Sequence, residues 1–94
     1  MSIHSFKDKL TARVAESETP KGFPADLVRG AFRKLRAIDA AQQLDDLKRP
    51  PGNHLEALKG TRNGQHSIRI NDQWRICFVW RSDGAHNVEI VDYH

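Results

Sequence analysis

The chain has 94 residues, 38% of them hydrophobic and 29% charged, which makes one domain spanning residues 1–94 with a single modest core. No stretch approaches the roughly 18 consecutive apolar residues of a membrane span. A single cysteine, Cys77, excludes an internal disulfide or a CxxC metal site. Formal net charge is only +3, but it is unevenly spread. Between Lys48 and Arg81 stand seven basic residues (Lys48, Arg49, Lys59, Arg62, Arg69, Arg75, Arg81) against two acidic ones (Glu56, Asp72). A basic half in so small a domain favours a polyanionic partner.

In chain order, Met1 to Lys7 lack the apolar run of a secretion signal, so a cytoplasmic location is expected. Ile3 to Phe6 read as a short first strand. Leu10 and Val14 at helical spacing predict a helix from Lys7 to about Glu16, and the prolines and glycine of Thr19–Pro24 predict a loop. A longer helix is predicted from Pro24 to Gln43. Pro24 suits its first position, and Asp26 suits the positive end of the helix dipole. Leu27, Val28, Ala31, Phe32, Leu35 and Ile38 form one apolar stripe, while Arg29, Arg33 and Arg36 form a basic stripe elsewhere on its surface. That basic stripe is either a solvated face or a secondary phosphate-contacting ridge.

After the break at Arg49-Pro50-Pro51-Gly52-Asn53 the pattern turns to period two. A short strand is expected near Leu55–Leu58, then a turn through Gly64, a strand from Gln65 to Ile70, and another from Trp74 to Arg81. Ser82-Asp83-Gly84 makes a second turn, placing His86 in a turn and a last strand at Asn87–Tyr93. The prediction is a small α+β domain with N-terminal helices packed on one face of an antiparallel-rich sheet, the other face left open to a ligand.

The hairpin is the most informative stretch. If Asn71-Asp72-Gln73 is a three-residue loop, Ile70 pairs with Trp74, Ile68 with Ile76, and Arg69 with Arg75 on the opposite side. A two-residue loop would set Ile68 against Arg75, which the apolar pattern disfavours. Like charges directly opposite are destabilising. An anion between them resolves this, and arginine forks suit phosphate.

Asp92-Tyr93-His94 brings proton-transfer groups to the same basic setting, unless the terminus is frayed and its histidine incidental. Cys77 reads as a small buried residue rather than a nucleophile. His66 shares a face with Ile68 and Ile70 and reads as a satisfied, half-buried histidine. No two histidines show ligand spacing with carboxylates, so no metal site and no cofactor are expected. Lys59, Arg69, Arg75, Tyr93 and His94 together suit a metal-independent ribonuclease, in which cations stabilise the charged phosphorane and the 2′-hydroxyl restricts the substrate to RNA.

The whole pattern resembles the RelE/ParE superfamily of bacterial toxins and, within it, the HigB branch. The resemblance rests on Ile3-His4-Ser5-Phe6, on Leu35 to Ala41, on Pro51-Gly52-Asn53-His54-Leu55-Glu56-Ala57-Leu58-Lys59-Gly60, on Gly64 to Phe78, and on Val88 to His94. It implies a RelE-like fold, cleavage of mRNA in the A site of the 70S ribosome with contacts to ribosomal RNA, and a HigA-type helix-turn-helix antitoxin. Carried over by position, Lys59, Arg69 and Arg75 match the family's phosphate-facing cations, with Arg75 expected at the transition state and Arg69 in positioning. Arg62 joins the RNA-binding set. Asp92, Tyr93 and His94 match the C-terminal catalytic residues, and Asp92 either orients the other two or receives the 2′-hydroxyl proton. One position departs: Glu56 stands where some members carry histidine. It either acts as a base with its carboxylate held by Lys59, or is structural, and its charge near the RNA path is expected to slow cleavage. The alternative reading is a non-enzymatic protein of the same fold, either a ParE-like gyrase inhibitor or an RNA-binding module.

Overall fold

The computed structural model describes residues 2–92. Helix α1 covers Lys9–Ala15, and its start is set by Asp8, whose carboxylate accepts the Thr11 amide at 2.7 Å. Helix α2 covers Ala25–Ala40, with Pro24 as its N-cap rather than its first residue. It ends before Gln43 because Ala41 turns extended and Gln43 opens a 3₁₀ turn, Leu44–Lys48, closed by a reciprocal cap with Asp46. Strands β1 (Glu56–Ala57), β2 (His66–Arg69), β3 (Trp74–Arg81) and β4 (Gly84–Asp92) form one antiparallel sheet in that order.

The expected α+β architecture holds, with α1 and α2 packed on the sheet. The buried stripe of α2 (Leu27, Val28, Ala31, Leu35, Ile38) joins Ile68, Ile76, Phe78, Val88 and Ile90 in one core. That alternation sends Glu56, Ser67, Arg69, Arg75, Cys77, Glu89 and Val91 to the second face.

Three local expectations are corrected. Ile3 to Phe6 is not a strand but makes two isolated parallel bridges, Ile3 with Ala85 and Phe6 with Val88. Continuous pairing fails because β4 is irregular there: the register slips between Cys77 and Val79, and Asn87 takes φ +53°. The last strand begins at Gly84, so His86 lies in a strand and not in a turn. The second sheet face is also not bare, since Ser67, Arg75 and Cys77 are buried on it.

Candidate active site

The hairpin register is the one the apolar pattern requires, with Ile68 opposite Ile76 and Arg69 opposite Arg75. Asn71 makes the turn: its Oδ1 accepts the Gln73 and Trp74 amides at 2.9 and 2.8 Å. The two arginines are reconciled differently from the expected shared anion. Each has its own carboxylate, Asp72 for Arg69 and Glu56 for Arg75. Arg69 also donates to the Asn71 carbonyl, so it turns towards the hairpin tip.

Arg75 is the anchored member. Its Nε donates to Ser67 Oγ at 2.8 Å, and Nη2 donates to the His54 carbonyl at 2.6 Å. Glu56 Oε1 stands 3.2 Å from the same Nη2. The arginine side chain is only 11% exposed and the glutamate 55%, so the carboxylate is the accessible half of the pair. Register explains the meeting: Glu56 pairs with Ser67, one diagonal step from Arg75. Glu56 is therefore held by Arg75 and not by Lys59, because Lys59 leaves the strand to start a 3₁₀ turn, Gly60–Arg62.

The carbonyl that fixes Arg75 is itself fixed. His54 takes the left-handed conformation (φ +45°) straight after buried Asn53. Asn53 Nδ2 donates to the Leu47 and Arg49 carbonyls at 3.2 and 3.0 Å, and its Oδ1 accepts from Lys34 of α2. Burial, then the neighbouring Arg33, lower the Lys34 pKa. Ser67, Asn53 and Lys34 were missed as supports of the site. A serine on an arginine-bearing strand face and an asparagine after Pro-Pro-Gly were the available signals.

The other predicted residues are dispersed. Exposed Lys59 makes no ion pair among the described residues. Arg62 donates to Gln65 and pairs with Glu89 at 2.8 Å, with Lys7 3.6 Å from the same carboxylate, so it ties its turn to β4. Arg29 and Arg33 border a groove of about 400 Å³ beside the hairpin tip, together with Ile70, Asn71, Gln73 and Trp74. Arg36 stacks over Phe32 at 5.7 Å and lines a different groove, between α1 and α2, so the basic stripe divides. Asp92 sits opposite Trp74, on the strand side opposite to that of Arg75, and accepts from Gln73 Nε2 at 3.1 Å. Tyr93 and His94 lie outside the described residues.

Cys77 is fully buried, and burial pushes its thiol pKa up, as a packing residue requires. His66 is half-buried against Phe78, but its Nδ1 has no partner among the described residues, so it is not the satisfied histidine expected. At the far end of β3, around the Ser82–Gly84 turn, His4, Asp83 and His86 converge, which their sequence spacing did not predict.

An antiparallel meander carries two N-terminal helices on one face and a carboxylate–guanidinium pair on the other, a small α+β architecture of the RelE-like kind. Superposition on a chain from the YoeB–YefM complex from Staphylococcus aureus gives a TM-score of 0.62 at 16% identity, covering 100% of this chain and 99% of that one. The model of the HigB-like toxin family, described as the RelE-like toxin of the type II toxin–antitoxin system HigB, matches residues 4–94. The chain belongs to that family. It is 42% identical over 90 residues to "Toxin HigB-1" of Vibrio cholerae, covering 95% of this chain and 94% of that protein. It is 36% identical over 92 residues to "Endoribonuclease HigB" of Proteus vulgaris, covering 98% and 99%. Membership of a type II toxin family implies an antitoxin partner.

Proposed function

We propose that this chain is a metal-independent, ribosome-dependent endoribonuclease that cuts mRNA in the A site of the 70S ribosome, inhibits translation and growth, and is neutralised by a HigA-type helix-turn-helix antitoxin. Family membership and the likeness to the Proteus endoribonuclease support an RNA-cleaving toxin, and mRNA is the substrate of this reading. The observation that carries the mechanism is the exposed Glu56 carboxylate, held 3.2 Å from the anchored Arg75.

In this reading Glu56 takes the proton of the 2′-hydroxyl. The 2′-oxygen attacks the adjacent phosphorus, and the 5′-oxygen leaves with a proton supplied from the C-terminal tail, where Tyr93 and His94 are the candidates. Asp92 has a positioning role, consistent with its place at the hairpin tip beside Gln73. Negative charge builds on the phosphorane oxygens. Arg75 is pre-oriented by Ser67 and His54 and costs no reorganisation when it meets that charge. Arg69 and Lys59 position the flanking phosphates. Arg29 and Arg33 face ribosomal RNA from beside the hairpin. Arg62 and Arg36 are left to structural work, given Glu89 and Phe32 as their partners.

Dependence on the ribosome is supported by the pairing of Arg69 and Arg75 with Asp72 and Glu56. RNA must compete with those carboxylates, and a substrate presented by the ribosome competes better than a free strand. Ribosomes place the reaction in the cytoplasm, and among the described residues no helix is long and apolar enough to cross a membrane. The test is incubation of purified protein with programmed ribosomes and mapping of the message ends. Cuts within the A-site codon are expected. An intact message, or double-strand DNA breaks with gyrase instead, would overturn the proposal.

A further inference from the structure

We infer that His4, Asp83 and His86 form a surface site for a borderline divalent metal ion, Zn²⁺ foremost, which clips the N-terminal segment to the β3–β4 turn. One donor atom from each residue lies within 4.8 Å of the other two. Both imidazoles direct Nε2 at Asp83. His86 Nε2 is 2.7 Å from Oδ1, while His4 Nε2 contacts the Asp83 carbonyl oxygen and stands 3.9 Å from Oδ2. The two rings stack with centroids 5.0 Å apart and planes 13° from parallel. Two imidazoles and a carboxylate suit Zn²⁺, Ni²⁺ or Cu²⁺ rather than Mg²⁺ or Ca²⁺.

The backbone places these donors before any ion arrives. The His4 amide donates to the Ala85 carbonyl at 2.8 Å, and the Ala85 amide donates back to Ser2 at 2.6 Å. Ser5 then accepts the Asn87 and Val88 amides through its hydroxyl and its carbonyl. Gly84 permits this contact, because a Cβ there would lie 2.2 Å from the Ser2 oxygen. His4 and His86 are thereby fixed on adjoining segments, and only side-chain torsions remain to adjust. Metal–ligand bonds of about 2.0–2.2 Å require the donors to close in slightly from their present separations. Three protein ligands leave a further coordination position for water or a partner's side chain.

The site lies at the end of β3 remote from Arg75, so it is separate from RNA cleavage. The experiment uses tag-free full-length protein, stripped with chelator and titrated with Zn²⁺ at pH 7.5 by calorimetry and by ¹⁵N NMR of the imidazoles. One ion per chain is expected, with the largest shifts at His4 and His86 and a rise in melting temperature. His4→Ala, His86→Ala and Asp83→Ala should each weaken binding at least tenfold, whereas His54→Ala should not. The variants alter exposed or half-exposed side chains, and the wild-type NMR titration stands without them. No saturable single site up to millimolar Zn²⁺, or shifts centred on other histidines, would overturn the inference.

Discussion

Arg75 is a cation held by neutral partners and faced by an exposed counter-charge, Glu56. Ser67 and the His54 carbonyl take Nε and Nη2, and Glu56 approaches from the solvent side. Such charge-assisted contacts hold a guanidinium in one orientation, which suits it to a charge that develops during reaction. Two residues along the same strand face, Cys77 makes an opposite demand. Its thiol is buried, and its raised pKa means that the folded chain holds the proton more firmly than the unfolded one. Stability from this group is intact below the ordinary thiol value of about 8.5 and is lost as pH rises beyond it, because the unfolded chain then ionises while the native chain resists. Urea midpoints should therefore fall more between pH 7.5 and 9.5 for the wild type than for Cys77→Ala. Equal falls would mean that the thiol is not desolvated.

Among elements, the hairpin was legible and the N-terminal segment was not. Ile68, Ile70, Trp74 and Ile76 alternate strictly, and only a three-residue turn puts all four on one side, so Arg69 and Arg75 had to face each other. The carboxylates that relieve them were harder to read. Glu56 lies on a two-residue strand whose residues are both exposed, and nothing local sets its register against Ser67. The His4–Asp83 contact spans 79 positions, so no spacing rule could find it. Ile3 to Phe6 has the pattern of a strand but makes only two bridges, because the β4 it meets is irregular. Gly84 sits in that junction at φ +129°, and a Cβ added to it would lie 2.2 Å from the Ser2 oxygen. Gly84→Ala combines backbone strain with a backbone clash and should destabilise the fold by about 2 kcal/mol or more. The loss should appear in thermal melts, with faster amide exchange at Ala85. A melt matching wild type would show that the segment yields without cost.

On the scale of the molecule, the charge asymmetry seen in the sequence does not become one uniform basic surface. Arg62 is turned to Glu89 and Arg36 to Phe32, while Arg29 and Arg33 stand beside the hairpin tip that also carries Arg69. Ribosome affinity should follow that division. Arg29→Ala and Arg33→Ala should each reduce the slope of log affinity against log salt by about one, whereas Arg36→Ala should leave it unchanged. Filter binding at a series of salt concentrations reads this directly, and equal slopes for all three would mean that α2 does not face RNA. The proposed role of Glu56, as a base held by Arg75 that starts cleavage, is tested most sharply by the single-turnover cutting rate of A-site mRNA for Glu56→Gln. The amide keeps the size of the side chain and its contact with Arg75 but cannot take the proton. A loss of about 10²–10⁴-fold with ribosome binding intact is expected, and a rate equal to wild type would rule out Glu56 as the base.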